Sequence, residues 1–215
     1  MNTQIVKIDP ENIDPALIEK AAMIIRHGGL VGFPTETVYG LAADALDQNA
    51  VARVFDVKGR PPDKPLPVQI HDIFLLPMLT EEIPDSAYAL IRRFLPGPLT
   101  IVLKASSSVS EMVTAGTGKV GIRMPDHPVA IEFLKTVGVP IVAPSANTSG
   151  FLPPLDAQML MEDLGGRIEC ILDAGPSRLM IASTVVDVTG SNVRIIREGV
   201  ISEEMIMDCI NRKGG

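Results

Sequence analysis

The chain has 215 residues, of which 46% are hydrophobic and 4% aromatic, and its formal net charge at pH 7 is −7. It is long enough to bury a substantial core, and no apolar run approaches the roughly 18 residues that a membrane-spanning helix needs. The acidic balance excludes broad electrostatic attraction to nucleic acid, so any basic site must be confined to a small region.

Apolar periodicity and turn residues divide the chain into alternating helices and strands. In chain order, the sequence predicts a helix over residues 15–27, a strand over 30–33, a helix over 49–57, a strand over 66–70, helices over 72–79 and 85–94, strands over 99–104 and 120–125, a helix over 128–137, a strand over 139–143, a helix over 155–164, strands over 168–172, 184–188 and 193–196, and a last helix opened by Ser202. The polar residues 106–118 predict a mobile loop or a hairpin connection. This alternation predicts an α/β (α+β) fold with a mixed sheet flanked by helices.

The chain is expected to form a single domain over residues 1–215 in the cytoplasm. Its N-terminus lacks the basic and apolar regions of a secretory signal. The cysteines, Cys170 and Cys209, do not form a C-x-x-C pair, so free thiols are the better interpretation.

The segment over residues 28–66 combines glycines, prolines and cations. Small residues let a ligand approach the backbone, prolines fix that approach, and Lys58, Arg60 and Lys64 offer cationic donors. The segment therefore predicts an anion-binding site. A plainer alternative is that these cations cap the predicted helix and solvate a loop.

Hydroxyl, amide and guanidinium groups recur where predicted strands end, at Thr35, Thr37, Arg123, Ser145, Asn147, Ser183, Thr184 and Arg197. Groups at strand ends of an open α/β sheet converge on one crevice. A crevice rich in cations and poor in general bases suits nucleotidyl transfer, in which charged substrates must be positioned. Ser and Thr are also common turn residues, and Tyr39 could fill the core with a hydrogen-bonded hydroxyl.

Several common catalytic motifs are absent from the sequence, namely the P-loop, G-x-S-x-G, H-E-x-x-H and G-x-G-x-x-G. The three histidines are not spaced as metal ligands. No residue is therefore assigned to a metal.

Eight short motifs together resemble the YrdC/TsaC family of threonylcarbamoyl-AMP synthases, in family order from about residue 5 to residue 205. They are P-T-E-T-V-Y-G-L at 34–41, K-x-R-P at 58–61, K-P-L at 64–66, P-G-P-L-T at 96–100, R-M-P at 123–125, A-P-S-A-N at 143–147, S-T-V at 183–185 and R-x-G at 197–199.

The resemblance implies a reaction in which L-threonine, bicarbonate and ATP, with Mg²⁺, give L-threonylcarbamoyl-AMP and pyrophosphate for the N6-threonylcarbamoyladenosine modification of tRNA. It implies a twisted mixed sheet around a large open basic cavity. It also implies threonylcarbamoyl-transferase proteins downstream, with tRNA or double-stranded RNA as a possible partner and no membrane.

The resemblance also assigns residues. Threonine contacts are expected at Thr37, Arg123 and Ser183, with Thr35 and Tyr39 nearby. Groups around ATP are expected at Lys58, Arg60, Lys64, Lys119, Ser145, Asn147 and Arg197. Among these, Lys58 and Arg60 are expected to be catalytic by stabilising the α-phosphate transition state.

The sequence departs from the family at two places, with Leu95 where many members have Trp and Gln69 where some longer members have His. It looks like the compact type without the linker and second domain. A non-catalytic RNA-binding or ribosome-associated paralogue and a hydrogenase-maturation carbamoyl-adenylate module are the alternatives. The Lys58-x-Arg60 and Ser145-x-Asn147 pairs favour the synthase.

Overall fold

A mixed sheet of ten strands runs through residues 2–211, the part of the chain that the computed structural model describes. The strands are β1 (Gln4–Lys7), β2 (Val31–Phe33), β3 (Gly40–Asp44), β4 (Val68–Gln69), β5 (Leu99–Lys104), β6 (Lys119–Arg123), β7 (Ile141–Val142), β8 (Cys170–Asp173), β9 (Thr184–Asp187) and β10 (Arg194–Arg197). Their order is β1-β8-β2-β3-β7-β4-β6-β5-β9-β10. Parallel and antiparallel neighbours both occur, which confirms the predicted mixed sheet.

Helices pack against this sheet and are shorter than a bilayer requires. They are α1 (Pro15–Arg26), α2 (Gln48–Lys58), α3 (Leu76–Leu79) after a 3-10 turn at Ile73–Leu75, α4 (Asp85–Phe94), α5 (Glu111–Thr114), α6 (Pro128–Val137), α7 (Ala157–Leu164) and α8 (Glu203–Asn211). None of the helices within residues 2–211 is long and apolar enough to cross a membrane. The predicted single domain over residues 1–215 extends beyond the described range at both ends and stays a prediction.

The two faces of the sheet have different neighbours, as the alternation of side chains along its strands shows. In β3, Leu41 and Ala43 join a core with α2, α4 and α7, whereas Ala42 joins a second core with α1 and α6. The first face, which bears Leu41 and Ala43, continues across the sheet through cross-strand pairs, from Ala43 to Val142 in β7 and on to Ile101 in β5. The second face, which bears Ala42, is covered by α1 and α6 near β3. Over β6, β5 and β9 this second face lines a cavity instead.

Capping residues in the sequence determine where several of the helices begin and end. Asp14 accepts a hydrogen bond from the backbone N–H of Ala16, and Asp47 caps α2 in the same way. The C-cap of α2 is Gly59 in the left-handed conformation (φ 54°), which a residue without Cβ adopts at low cost. The chain therefore turns sharply directly after Lys58.

Two strands were missing from the sequence prediction, and one predicted loop contains a helix. β3 reads G-L-A-A-D, and its alanines carry little strand propensity; pairing with β2 and burial override that propensity. β1 lies at the sheet edge, parallel to β8. Residues 106–118 connect an antiparallel pair, which confirms the hairpin connection, and they include the single turn of α5.

Gly199 packs so closely against the start of β9 that a side chain has no room. A Cβ there would lie 2.2 Å from the carbonyl oxygen of Ala182 and 2.7 Å from the backbone nitrogen of Thr184. We expect Gly199→Ala to lower the free energy of unfolding by about 1–3 kcal/mol, because backbone atoms must move. Urea denaturation of this variant and of Gly190→Ala provides the comparison, because a Cβ on Gly190 would lie 3.9 Å from the carbonyl oxygen of Asn192 and meet no closer atom beyond its chain neighbours. Equal stability of the two variants would contradict the predicted clash.

Candidate functional site

A cavity of about 710 Å³ lies on the second face of the sheet. Its floor is made by alternate residues of β5, β6 and β9, namely Thr100, Val102, Lys119, Gly121, Val185 and Asp187, with Ser183 just before β9. The predicted site residues on its surface are Arg60, Lys64, Lys119, Ser145, Asn147, Ser183 and Arg197. The other predicted residues, Thr35, Thr37, Tyr39, Lys58 and Arg123, are not on the cavity surface.

Lys58 is buried behind the cavity wall, with 1% of its surface exposed. Its ammonium donates to the backbone carbonyls of Ser145 and Asn147. Burial and, to a smaller extent, the nearby charge of Arg60 together lower the pKa of Lys58 to about 7. The lysine therefore ties α2 to the segment that follows β7.

Arg60 lies at the cavity wall two residues beyond α2. Its Nε donates to the carbonyl of Lys64 over 3.1 Å, and its Nη2 donates to the carbonyl of Pro65 over 2.8 Å. Burial lowers the pKa of this guanidinium as well. The turn after Gly59 is curled around the guanidinium, which fixes its position without neutralising its charge.

Arg197 presents a second guanidinium, at the β10 side of the cavity. Its Nε and Nη2 donate to the carbonyl of Ser183 over 3.1 and 2.8 Å. The hydroxyls of Ser183 and Thr100 lie 2.9 Å apart. Burial and, to a smaller extent, the positive charge of Arg123 lower the pKa of Arg197.

Arg123 ends β6 on the same face as Lys119 and Gly121, by the two-residue alternation of the strand. Its Nη2 lies 2.7 Å from Oε1 of Glu36, with both residues buried. This ion pair engages Oε1, whereas Oε2 of the same carboxylate has no hydrogen-bond donor within residues 2–211. Gln69, opposite Arg123 in β4, also has a buried Oε1 without a donor there. Buried polar groups without partners mark a place where a ligand can complete the hydrogen bonds.

Thr35, Thr37 and Tyr39 form a network of their own. Thr35 Oγ1 donates to the carbonyl of Val38 over 2.6 Å and lies 2.9 Å from Thr37 Oγ1. The Tyr39 hydroxyl donates to the carbonyl of Gly175 over 2.7 Å, and burial raises its pKa. Tyr39 thus fits the alternative of core packing, and Val38 is the residue of this segment that lines the cavity.

Lys119 is paired with a carboxylate that the sequence prediction missed. Its ammonium lies 2.9 Å from Oδ2 of Asp187. Burial alone would raise the pKa of Asp187, but hydrogen bonds from Thr189 and Lys119 outweigh it and lower the pKa to about 2. The alternation Ser183, Val185, Asp187 along β9 was the signal that could have placed this carboxylate on the cavity floor.

A divalent metal has no ready-made protein site here. Within residues 2–211, no three His, Cys, Asp or Glu side chains are grouped as metal ligands. Asp187, which lines the cavity, is already engaged by Lys119 and Thr189. The side chains present therefore do not fit a metal held by the protein alone.

The fold is that of the Sua5/YciO/YrdC family, to which the chain belongs. The family model, described as "Telomere recombination", matches residues 23–199. The chain is 47% identical over 196 residues to the threonylcarbamoyl-AMP synthase of Pyrococcus abyssi, covering 91% of this chain and 58% of that one. It is 42% identical over 202 residues to a putative threonylcarbamoyl-AMP synthase of Mycobacterium tuberculosis, covering 94% and 92%.

A solved structure of P. abyssi Sua5 complexed with L-threonine matches this fold with a TM-score of 0.94 and 46% identity, covering 97% of this chain and 61% of that one. The chain thus spans less than two thirds of the length of its archaeal relative. These similarities confirm the family resemblance and the fold predicted from the motifs.

The buried ammonium of Lys58 is expected to change how the free energy of unfolding depends on pH. Because folding lowers its pKa from 10.5 to about 7, the unfolded chain binds more protons between these values, and stability must rise with pH there. We expect the wild type to show a steeper rise than Lys58→Met, by at most about 1.4 kcal/mol per pH unit. Denaturant titrations of both proteins from pH 7 to 10 measure the two slopes. Parallel curves would show that Lys58 titrates normally in the folded state.

Proposed function

We propose that the chain is an L-threonylcarbamoyladenylate synthase, which makes threonylcarbamoyl-AMP and pyrophosphate from L-threonine, bicarbonate and ATP. The observation that supports this proposal is that Arg60, Lys64 and Arg197 line one cavity, with Lys58 and Arg123 buried behind its wall. Cations fixed in one place repel one another, and an anion that binds among them relieves that repulsion. A substrate set with carboxylates and phosphates supplies such anions.

Threonine is assigned to the end of the cavity near Arg123. A guanidinium can hold the amino-acid carboxylate as a two-pronged donor, and the hydroxyls of Ser183 and Thr100 offer partners for the remaining polar groups. Thr37, Thr35 and Tyr39 support this end from the layer behind it. The archaeal relative crystallised with L-threonine supports the choice of amino acid.

ATP is assigned to the side formed by Arg60, Lys64, Lys119, Ser145, Asn147 and Arg197, with Lys58 behind it. Lys58 would act by holding the carbonyls of Ser145 and Asn147 in place and by adding positive potential. Mg²⁺ would be held chiefly by the phosphate oxygens, as is usual for nucleotide substrates. No step of the reaction is assigned to a metal held by the protein.

The reaction depends on cations near the substrates more than on a general base. Threonine and bicarbonate give N-carboxythreonine, water and a proton; a carbamate oxygen then attacks the α-phosphorus, the bond to the bridging oxygen breaks, and pyrophosphate leaves with the electron pair. Two unit charges 4 Å apart repel by about 4 kcal/mol at an effective dielectric constant of 20. Arg60 and its neighbours offset this repulsion as the dianionic carbamate meets the triphosphate.

The product is destined for N6-threonylcarbamoyladenosine in tRNA, which places the reaction in the cytoplasm and makes a threonylcarbamoyl-transferase the next protein. The transfer partners and any contact with tRNA or double-stranded RNA are part of this proposal. The names of the archaeal and bacterial relatives support the product of the reaction, threonylcarbamoyl-AMP.

The decisive assay measures pyrophosphate released from ATP in the presence of Mg²⁺ and bicarbonate. We expect release with L-threonine, much less with L-serine, and none without an amino acid, because the threonine end of the cavity must be filled. ATP binding without threonine-dependent release would instead favour the non-catalytic paralogue.

Arg60→Ala tests the electrostatic role of the cavity wall. We expect kcat/KM for pyrophosphate release to fall at least about 100-fold, since a fixed cation near the developing charge is lost. Arg93→Ala, on the exposed surface of α4, removes the same charge away from the cavity and should retain wild-type kinetics. Thermal unfolding checks that both variants fold. Similar kinetics in the two variants would remove Arg60 from the mechanism.

A further inference from the structure

Phe151 is an aromatic side chain that the proposed reaction has not yet used. It is 72% exposed, yet it lines the cavity beside Asn147 and Pro153. Among the described residues that line this cavity, it is the one aromatic. Burial of a phenyl ring away from water is favourable, and this ring is left exposed. A flat apolar group of a ligand could therefore pack against it.

The loop that carries Phe151 is anchored to the cationic centre. The side-chain amide of Asn147 donates to the carbonyl of Phe151 over 2.9 Å and to the carbonyl of Thr148 over 2.8 Å. The carbonyl of Asn147 itself accepts from the ammonium of Lys58. The backbone of Phe151 is thus tied through Asn147 to the residues assigned to the phosphates.

Asn147 also leaves one polar atom unused. Both of its amide hydrogens are donated to carbonyls, whereas its Oδ1 is buried and has no donor within residues 2–211. The residue is 94% buried, and it is one of those that line the cavity. A fully ionised phosphate chain has no hydrogen to donate, but a nucleoside has them on its exocyclic amine and ribose hydroxyls.

We propose that Phe151 is the platform on which the adenine of ATP stacks, with a nucleoside N–H or O–H donating to Asn147 Oδ1. This assignment rests on the proposed function, in which ATP is the nucleotide. Stacking covers the exposed ring, and the donor satisfies the buried oxygen. The phosphates then extend toward Arg60 and Lys64.

The other substrates fit this place poorly. Threonine is assigned to the Arg123 end, where its carboxylate finds guanidiniums, and bicarbonate has no apolar surface. Pyrophosphate is likewise wholly polar. The adenine base is the substrate group with a flat apolar face that a phenyl ring can cover.

The test compares ATP with inorganic tripolyphosphate, which has the phosphates but no base, by isothermal titration calorimetry. We expect Phe151→Ala to raise the Kd of ATP about tenfold, as is typical when a base loses its aromatic platform, and to leave the Kd of tripolyphosphate within twofold. Leu152→Ala is the matched control, because Leu152 is 84% exposed beside Phe151 but does not line the cavity. It should bind both ligands as the wild type does.

A second variant supplies a direct optical signal. The chain contains no tryptophan, so Phe151→Trp introduces a single indole at the platform. ATP should quench or shift its fluorescence by stacking, and tripolyphosphate should not.

The outcomes separate this inference from the proposed function. Unchanged ATP affinity in Phe151→Ala, or equal losses for ATP and tripolyphosphate, would overturn the platform alone while wild-type ATP binding persists. A wild-type protein that binds no ATP would overturn both.

Discussion

The buried ammonium of Lys58 is the contact on which the site depends. It joins the end of α2 to the segment after β7 through two backbone carbonyls, and those partners lie 87 and 89 residues further along the chain. Through the carbonyl of Asn147 the same contact reaches the loop of Phe151. One wall of the cavity is therefore built around a cation that never reaches its surface.

Burying this charge beside Arg60 is unfavourable, as the lowered pKa of Lys58 shows. The same is true where Arg123 raises the local potential at Arg197. A protein optimised only for stability would avoid such arrangements. Their presence is explained if the cations are fixed in advance for an anionic substrate, so that little reorganisation is needed when negative charge arrives.

The sequence predicted the sheet class and most element positions because apolar periodicity and helix caps such as Asp14 are local signals. It missed β3, whose alanines carry no strand propensity and whose conformation is imposed by pairing with β2. The motifs supplied the residue types of the site. They could not show that Lys58 and Arg123 lie behind the cavity surface, because that depends on contacts such as the one with Glu36 between distant segments.

Asp187 is a site residue that the sequence could have revealed. It lies two alternations after Ser183, so the side chains of both residues lie on the same face of the sheet. Phe151 had no comparable signal, since an aromatic residue in a Gly- and Pro-rich turn is equally compatible with packing, exposure or ligand contact. Only the shape of the cavity distinguishes these.

The terminal strand of the sheet has a further consequence. Within residues 2–211, β10 is the outermost strand on the cavity side, and its pairing with β9 shifts register between Ile195 and Arg197. This irregularity lets Arg194, Ile196 and Arg197 all face the cavity, although strict alternation would turn one of them away. An interrupted edge that carries guanidiniums is also a poor template for strand addition. Arg197, which is assigned to the nucleotide, thus belongs to a strand edge that disfavours edge-to-edge self-association.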